Sequence, residues 1–443
     1  MLDAHPSSPR NGPVLLILCL AVLVAQVDTS VVNLAVHAIG IGLHASIDSL
    51  QWVVDGYNLS YAALLMTGGT WADIFGRRRV LRLGASLFVA GSLLAGFAPD
   101  ISILVAGRVL SGVGAALLLP ASLALIRVIW TEPAQRAHAI GVWAGTNGAA
   151  LAIGPTVGGW LIQVAGWRSV FLLIVPLGLS VVIWSRQVIP ESRDEQGRRV
   201  DVAGQSFGAI ALAGVTLAAI AHADALPALG VAAVCTLLFV RTQSRAGPSA
   251  MLPLALLRNR RLAVANGVAA AMTFGMYGVL FLLPLVWQRK SGMSPLQAGL
   301  ALLPMSLSFV ALSHRSGHWA ARFGTRRMMA AGMLGIGSGI AVLACTHAGR
   351  PLGLAEVGVF LTGIGMALNT GPVLALAVSA VDSARAGTAS AMVNTARMIG
   401  ATLGVALLGS VFASTSGAGG FGKAMVAGAT VVCAGAALAM PGS

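Results

Sequence analysis

Long apolar runs, each broken by a short polar or glycine-rich stretch, fill this chain almost from end to end. Within them the apolar residues are continuous, with neither the alternation of a half-buried strand nor the one-sided stripe of a water-soluble helix. A bilayer crossing takes about 20 apolar residues to span roughly 30 Å of hydrocarbon. Windows of that kind fall at about 13–36, 51–71, 83–98, 101–127, 138–163, 168–186, 203–221, 226–240, 262–286, 296–313, 328–346, 352–380, 388–413 and 424–440. In lipid every backbone polar group must be satisfied within its own element, and continuous runs do this as helices, not as barrel strands. The pattern predicts an all-α polytopic membrane protein with 14 transmembrane helices. Arg10 ahead of the first run suggests a signal peptide, but no small-x-small cleavage site follows before Asp28, so the run is read as a retained helix.

Composition agrees: 57% of residues are hydrophobic, 9% are charged and the mean hydropathy is +0.85, more apolar surface than a soluble core can bury. With the amino terminus in the cytoplasm, the inner segments hold Arg10; Arg77, Arg78, Arg79 and Arg82; Arg127 and Arg136; Arg186, Arg193, Arg198 and Arg199; Arg241, Arg245, Arg258, Arg260 and Arg261; Arg315, Arg322, Arg326 and Arg327; and Arg385. Only Arg168, Arg289, Lys290, Arg350 and Lys423 fall outside, with Arg108 and Arg397 inside helices. This bias predicts that both termini are cytoplasmic. The +14 net charge is scattered over short loops, which disfavours a nucleic-acid partner and points to anionic membrane lipids. Cys19, Cys235, Cys345 and Cys433 all fall in apolar windows, where buried thiols without disulfides are expected. The histidines lack metal-ligand spacing and no phosphate-binding loop occurs, so neither enzyme chemistry, a metal, a cofactor nor direct drive by ATP is expected. The proton gradient and membrane potential remain as the source of work, each charge crossing 100 mV being worth about 2.3 kcal/mol. A monomer is the expected assembly.

A repeat organises the windows. "GTWADIFGRRR" at 69–79 returns as "GHWAARFGTRR" at 317–327, matching Gly69 with Gly317, Trp71 with Trp319, Phe75 with Phe323, Gly76 with Gly324, Arg78 with Arg326 and Arg79 with Arg327. One copy follows the second window and the other the tenth, so windows one to six and nine to fourteen read as two like-oriented halves. The domains are then 1–190, 191–261 (an inserted helix pair with its loops) and 262–443. Parallel six-helix halves around a cavity are a transporter architecture, with a small-molecule site near the midplane.

"GTWADIFGRRR" resembles the signature loop of the major facilitator superfamily, and "LVAGRVLSGVGAA" (104–116) its fourth-helix arginine motif. "GAALAIGPTVGGWL" (148–161) is similar to the fifth-helix motif of proton-driven exporters; "VDTSVVNLAV", "GWRSVFLLIVPLG" and "ARAGTASAMVNTARMIGATLGVALLG" resemble the fourteen-helix drug:proton antiporters. "WVVDGYNLSYAALLM" is similar to exporters of the methylenomycin-resistance type. Ile174 departs from the asparagine such a motif carries, and Ala321 from the loop aspartate. The resemblance implies a proton-coupled antiporter of hydrophobic or amphipathic drug-like compounds, working by alternating access, or a dedicated exporter of one metabolite or antibiotic. It also implies that Gly69, Asp73, Gly76, Arg77 and Arg78 form a latch between the halves, and that Gly154, Pro155, Gly158 and Gly159 mark an exporter.

The residues themselves point to the coupling chemistry. An ionised carboxylate in mid-helix costs about 2.5–3.5 kcal/mol even on a lenient scale, so Asp28 is a functional candidate, with a permanently paired structural role as the alternative. Desolvation favours the neutral acid, which is what loading and releasing a proton requires. Arg108 sits at similar depth, each about 10–12 Å from the outer helix ends by the windows, so it either holds Asp28 ionised or bonds backbone carbonyls. Asp55 is shallower: by the resemblance a second coupling or cation-binding acid, by its position a wet carboxylate near the surface. Gly69 and Gly76 permit a tight crossing, and Asp73 can pair with Arg77 or Arg78. Gly154, Pro155, Gly158 and Gly159 let the fifth helix bend and pack closely. Asn33, Tyr57, Asn58, Tyr61, Trp143 and Asn147 are cavity candidates or interhelical contacts, and Asn394 with Arg397 forms a third polar site.

Overall fold

The computed structural model of the chain describes residues 11–194, 201–221, 225–246, 254–346, 352–382, 385–415 and 419–440. Arg10, Arg198, Arg199 and Arg350 lie outside them. The helices are α1 (Asn11–Gly42), α2 (Ile47–Phe75), α3 (Arg77–Gly96), α4 (Ile101–Ile129), α5 (Pro133–Ala165), α6 (Arg168–Val188), α7 (Val202–Ile220), α8 (Ala225–Ala246), α9 (Leu254–Leu257), α10 (Arg260–Lys290), α11 (Pro295–Ala301), α12 (Leu303–Phe323), α13 (Thr325–Ala344), α14 (Leu352–Ser379), α15 (Ala386–Ser414) and α16 (Gly419–Ala439). Each of the fourteen windows corresponds to one crossing, α9 being a single extra turn. The tenth crossing is broken at Leu302 into α11 and α12: Pro304 has no N–H to continue the helix, and Leu302 and Met305 bond three residues back instead of four. Thirteen described stretches are long and apolar enough to cross a membrane. The fourteenth crossing, α2, is as long but carries Asp48, Asp55 and Asp73.

The packing repeats as the motif does. In the first half α3 packs on α4, α2 on α4, α1 on α5, and α6 on α3 and α1. Eight crossings later α13 packs on α14, α12 on α14, α10 on α15, and α16 on α13 and α10. Glycines set these close approaches: a Cβ on Gly84 would meet the Gly114 carbonyl at 2.8 Å, and one on Gly358 the Gly339 carbonyl at 2.8 Å. The halves meet through α2 on α15, α5 on α11 and α12, and α1 on α10. Exchanging the halves maps α2–α15 onto the α5 contact and α1–α10 onto itself, the mark of a pseudo-two-fold axis. Helices α7 and α8 pair with each other, α7 lying against α2 and α15.

Because the crossings alternate, the starts of α1, α3 and α5 and the end of α16 share one face with both repeat loops. This is the arginine-rich face. Cys19 and Cys235 are buried, but Cys345 and Cys433 are exposed, correcting the expectation for those two. A helix facing lipid has no polar side to avoid, so an apolar window does not imply an inward-facing thiol.

Candidate functional site

Asp28 and Arg108 meet in the heart of the first half. The Arg108 guanidinium donates to Asp28 Oδ2 at 2.6 Å and to the Val53 carbonyl at 3.0 Å, so it pairs with the acid and does not bond backbone carbonyls alone. Both residues are 1% exposed. The Tyr57 ring lies 4.6 Å from the guanidinium carbon, and its hydroxyl donates to Ala25 O at 3.2 Å. Tyr57 therefore belongs to the ion pair, not to a cavity wall. The depth read from the windows needs correction: α1 runs on to Gly42, which puts Asp28 near the middle of its helix.

Asp55 is also corrected. It is 0% exposed and neither carboxyl oxygen has a hydrogen-bond partner. The helix begins at Ile47, two turns before it, so this acid is enclosed and not wet. Asn58 lies one turn along with both amide atoms unpartnered. Asn33 donates back to Thr29 O on its own helix, and Trp143 donates to Ser122 Oγ at 3.1 Å, tying α5 to α4. Asn147 is half-buried. Asn394 and Arg397, with Met272, Thr370, Val373, Leu374 and Val393, line a small recess of about 50 Å³ between α10, α14 and α15. Tyr61 lies across from it on α2, within electrostatic reach of Arg397.

The glycine motif of α5 has two faces. Gly154 and Gly158 admit Ser30 and Val31 of α1; a Cβ on Gly158 would meet Val31 Cγ1 at 2.5 Å. On the other side a Cβ on Gly159 would meet the Pro295 carbonyl at 2.7 Å, and Gly299 packs on the Pro155 carbonyl. The helix passes Pro155 without a break. This seam lies toward the face opposite the arginines, as do Gln51 Nε2 donating to Val405 O and Ala406 O, Gln288 Nε2 to Leu34 O and Ser306 Oγ to Leu151 O. Near the arginine-rich end of α5, by contrast, Gly141 and Gly145 have nothing within 4 Å of an added Cβ. The hydrogen bonds between the halves lie toward the face opposite the arginines; at the arginine-rich face a Cβ on Gly387 of α15 would come within 3.1 Å of the Arg127 guanidinium of α4.

The repeat loops are built alike. Gly76 ends α2 at φ +104° and Gly324 ends α12 at φ +93°, a backbone region open to glycine alone. Gly69 is instead inside α2, in ordinary contact with Pro120 at 3.7 Å, so only Gly76 makes the tight crossing. Asp73 pairs with Arg77 at 2.8 Å. Arg78 donates to Ile189 O and lies 3.6 Å from the Glu191 carboxylate, which also accepts from the Arg78 backbone N–H. In the second copy Arg326 donates to Leu438 O and Ala439 O. These bonds fasten each loop to the last helix of its own half. Glu191, Gln51 and Gly299 carried no signal in the sequence, since each is defined by a partner more than a hundred residues away.

The Major Facilitator Superfamily matches residues 18–405. The Multidrug resistance protein Stp of Mycobacterium tuberculosis (strain CDC 1551 / Oshkosh) is 35% identical over 87% of this chain and 73% of its own length. The Methylenomycin A resistance protein of Bacillus subtilis (strain 168) is 32% identical over 91% of this chain and 88% of its own. The Tetracenomycin C resistance and export protein of Streptomyces glaucescens is 31% identical over 94% and 79%. With duplicated six-helix packing and likeness over nearly its whole length, this chain belongs to the Major Facilitator Superfamily and is a multi-pass membrane transporter, not an enzyme.

Proposed function

We propose that the protein exports a hydrophobic or amphipathic drug-like compound in exchange for protons, by alternating exposure of a cavity between its halves. The observation that carries this is the enclosed Asp28–Arg108 pair in a chain whose relatives are named for drug resistance and export. A carboxylate buried this deeply is tolerated because the guanidinium matches it. A proton that reaches Asp28 removes the match, frees Arg108 for backbone carbonyls, and biases the equilibrium between two arrangements of the halves. Asp55, enclosed and without partners, is the second candidate for the coupling proton.

The arginine-rich face is assigned to the cytoplasm of a bacterial cell, with both termini there, by the positive-inside rule. The arrangement then corresponds to the loading state, sealed on the outside by the α5–α11 seam. Gly76, Asp73, Arg77 and Arg78 act as a latch once the halves swing together on the cytoplasmic side. The working units are 1–190, 191–261 and 262–443; a single chain holds both halves, so it acts as a monomer. Protons are the only coupling species, no other cofactor is used, and the basic loops meet anionic lipid and not nucleic acid. A second reading, export of one compound only, is supported by relatives named for methylenomycin A and tetracenomycin C.

The test is proton release on adding a panel of candidate compounds to the purified protein in detergent, with uptake into proteoliposomes under a pH gradient. Compound-dependent release that vanishes in Asp28→Asn supports the reading. Release that survives moves the coupling proton to Asp55, and no gradient-driven flux for any compound overturns antiport.

A further inference from the structure

Arg397 is a half-buried cation on α15 with no anion among the described residues to answer it. Among the described residues four ion pairs form, at Asp73–Arg77, Arg78–Glu191, Arg79–Glu191 and Asp28–Arg108, and Arg397 enters none. Its side chain makes no hydrogen bond among those residues either; only its backbone carbonyl is used, accepting from Thr273 Oγ1. It sits eleven residues into α15, about 16 Å from that helix end at about 1.5 Å per residue, beyond the reach of an arginine stem to the membrane surface. Arginine does not escape by losing its proton. The carboxylates that might serve are committed or remote: Asp28 is matched by Arg108, and Asp55 is enclosed without contact to any cation.

What surrounds this guanidinium is a place for a ligand. The recess is small, about 50 Å³, room for an acidic group and not for a whole drug-sized compound. Met272, Val373, Leu374 and Val393 give it apolar walls, and Asn394 adds an amide one turn from Arg397. The phenols of Tyr61, on the first half, and Tyr277, on α10, lie within electrostatic reach of the guanidinium. The guanidinium and the Asn394 amide thus share the recess with apolar walls.

We propose that Arg397, with Asn394 and the Tyr61 and Tyr277 hydroxyls, binds an acidic group of the exported compound, so that the substrates are lipophilic anions or zwitterions and not lipophilic cations. This rests on the export reading above. A carboxylate or acidic enol supplies the missing charge in bidentate geometry within the recess, and its apolar body extends beyond it past the apolar walls. The same body without the acid leaves the guanidinium unmatched, and a cationic version adds like charge to it.

The test uses the full chain in lipid nanodiscs and three tritiated probes with one aromatic body: 1-naphthaleneacetate, 1-naphthaleneacetamide and 1-naphthylmethyl-trimethylammonium. The acid is expected to bind at least tenfold tighter than the amide, and the cation weakest. Arg397→Gln removes the preference, Arg397→Lys keeps part of it, and monodispersity by gel filtration checks that each variant folds. The wild-type ranking alone already decides. An acid bound no tighter than its amide, or a preference that survives Arg397→Gln, overturns the proposal. Proteoliposome flux separates this from the export reading: gradient-driven transport of a cation with no dependence on Arg397 sinks the anion site alone, whereas Arg397-dependent binding of the acid without gradient-driven flux sinks antiport alone.

Discussion

Gln51 on α2 donates from one amide nitrogen to two successive carbonyls of α15, Val405 at 3.0 Å and Ala406 at 2.7 Å. The side chain is fully buried, and a Cβ on neighbouring Gly409 would collide with it. These bonds exist only while the halves touch at the face opposite the arginines. Gln51→Leu keeps the volume and removes both; at about 0.5–1.5 kcal/mol per bond this shifts the balance of states roughly 5- to 150-fold toward opening of that face. Electron–electron distance measurements between spin labels at Asp48 and Ser414, in a cysteine-free background, should show the longer population grow. An unchanged distribution would mean the seam is held elsewhere.

Arg108→Leu leaves Asp28 as an unmatched buried charge, and a cost of about 3–5 kcal/mol is expected from loss of one partner of such a pair. Asp28→Asn combined with Arg108→Gln leaves no charge behind and is expected to recover much of that stability while transport stays lost. Thermal unfolding in detergent checks the first part and proteoliposome flux the second. Equal destabilisation by single and double variants would show that packing of the arginine stem against Tyr57 matters more than the charge match.

The crossings were legible in the sequence because hydrocarbon imposes a length on every apolar run, and the duplication because both loop copies kept their glycine and arginines. Helix ends were not. Residues 37–42 open on His37 and carry two glycines, and 47–50 carry Asp48 and Ser49, so the windows stopped short of both; α1 and α2 include them, and this moved Asp28 to mid-helix and enclosed Asp55. The Asp28–Arg108 pair could be anticipated because each is an intramembrane charge in need of a partner. Tyr57 and Tyr61 could not be told apart: they are one turn apart with ring centroids at 6.0 Å, and only the neighbours α1, α4 and α15 decide that one braces the ion pair and the other looks toward Arg397. Glu191 was invisible for the same reason, one of three acids in a polar stretch until α3 is folded beside it.

The two repeat loops predict a matched pair of effects with a measurable difference. Gly76→Ala and Gly324→Ala each force a side chain into a glycine-only backbone, at a cost of about 1–3 kcal/mol. Gly76→Ala should cost more, because its methyl would also meet Glu191 Oε1 at 2.8 Å, while Gly324 has open space. Glu191→Gln removes the charge facing Arg78 and Arg79 and should narrow the difference between the two alanine variants. Unfolding temperatures of the five proteins, with wild type, test this.

The α5 motif separates seam from fold. Gly159→Val and Gly299→Val place methyl groups against the Pro295 and Pro155 carbonyls, backbone that cannot step aside unless the halves separate. Each half keeps its own packing, so expression and monodispersity are expected to hold while closure of that face, and with it the transport cycle, fails. Gly141→Ala and Gly145→Ala lie on the same helix where an added Cβ meets nothing in this arrangement, and should leave the seam and the spin-label distance unchanged while stabilising the helix by about 0.5–1 kcal/mol each. The contrast is the point of the experiment, because a general intolerance of α5 to side chains would disable all four variants. Loss confined to the first two, with the spin-label distance from Asp48 to Ser414 lengthened, would place the transport defect in the contact between halves.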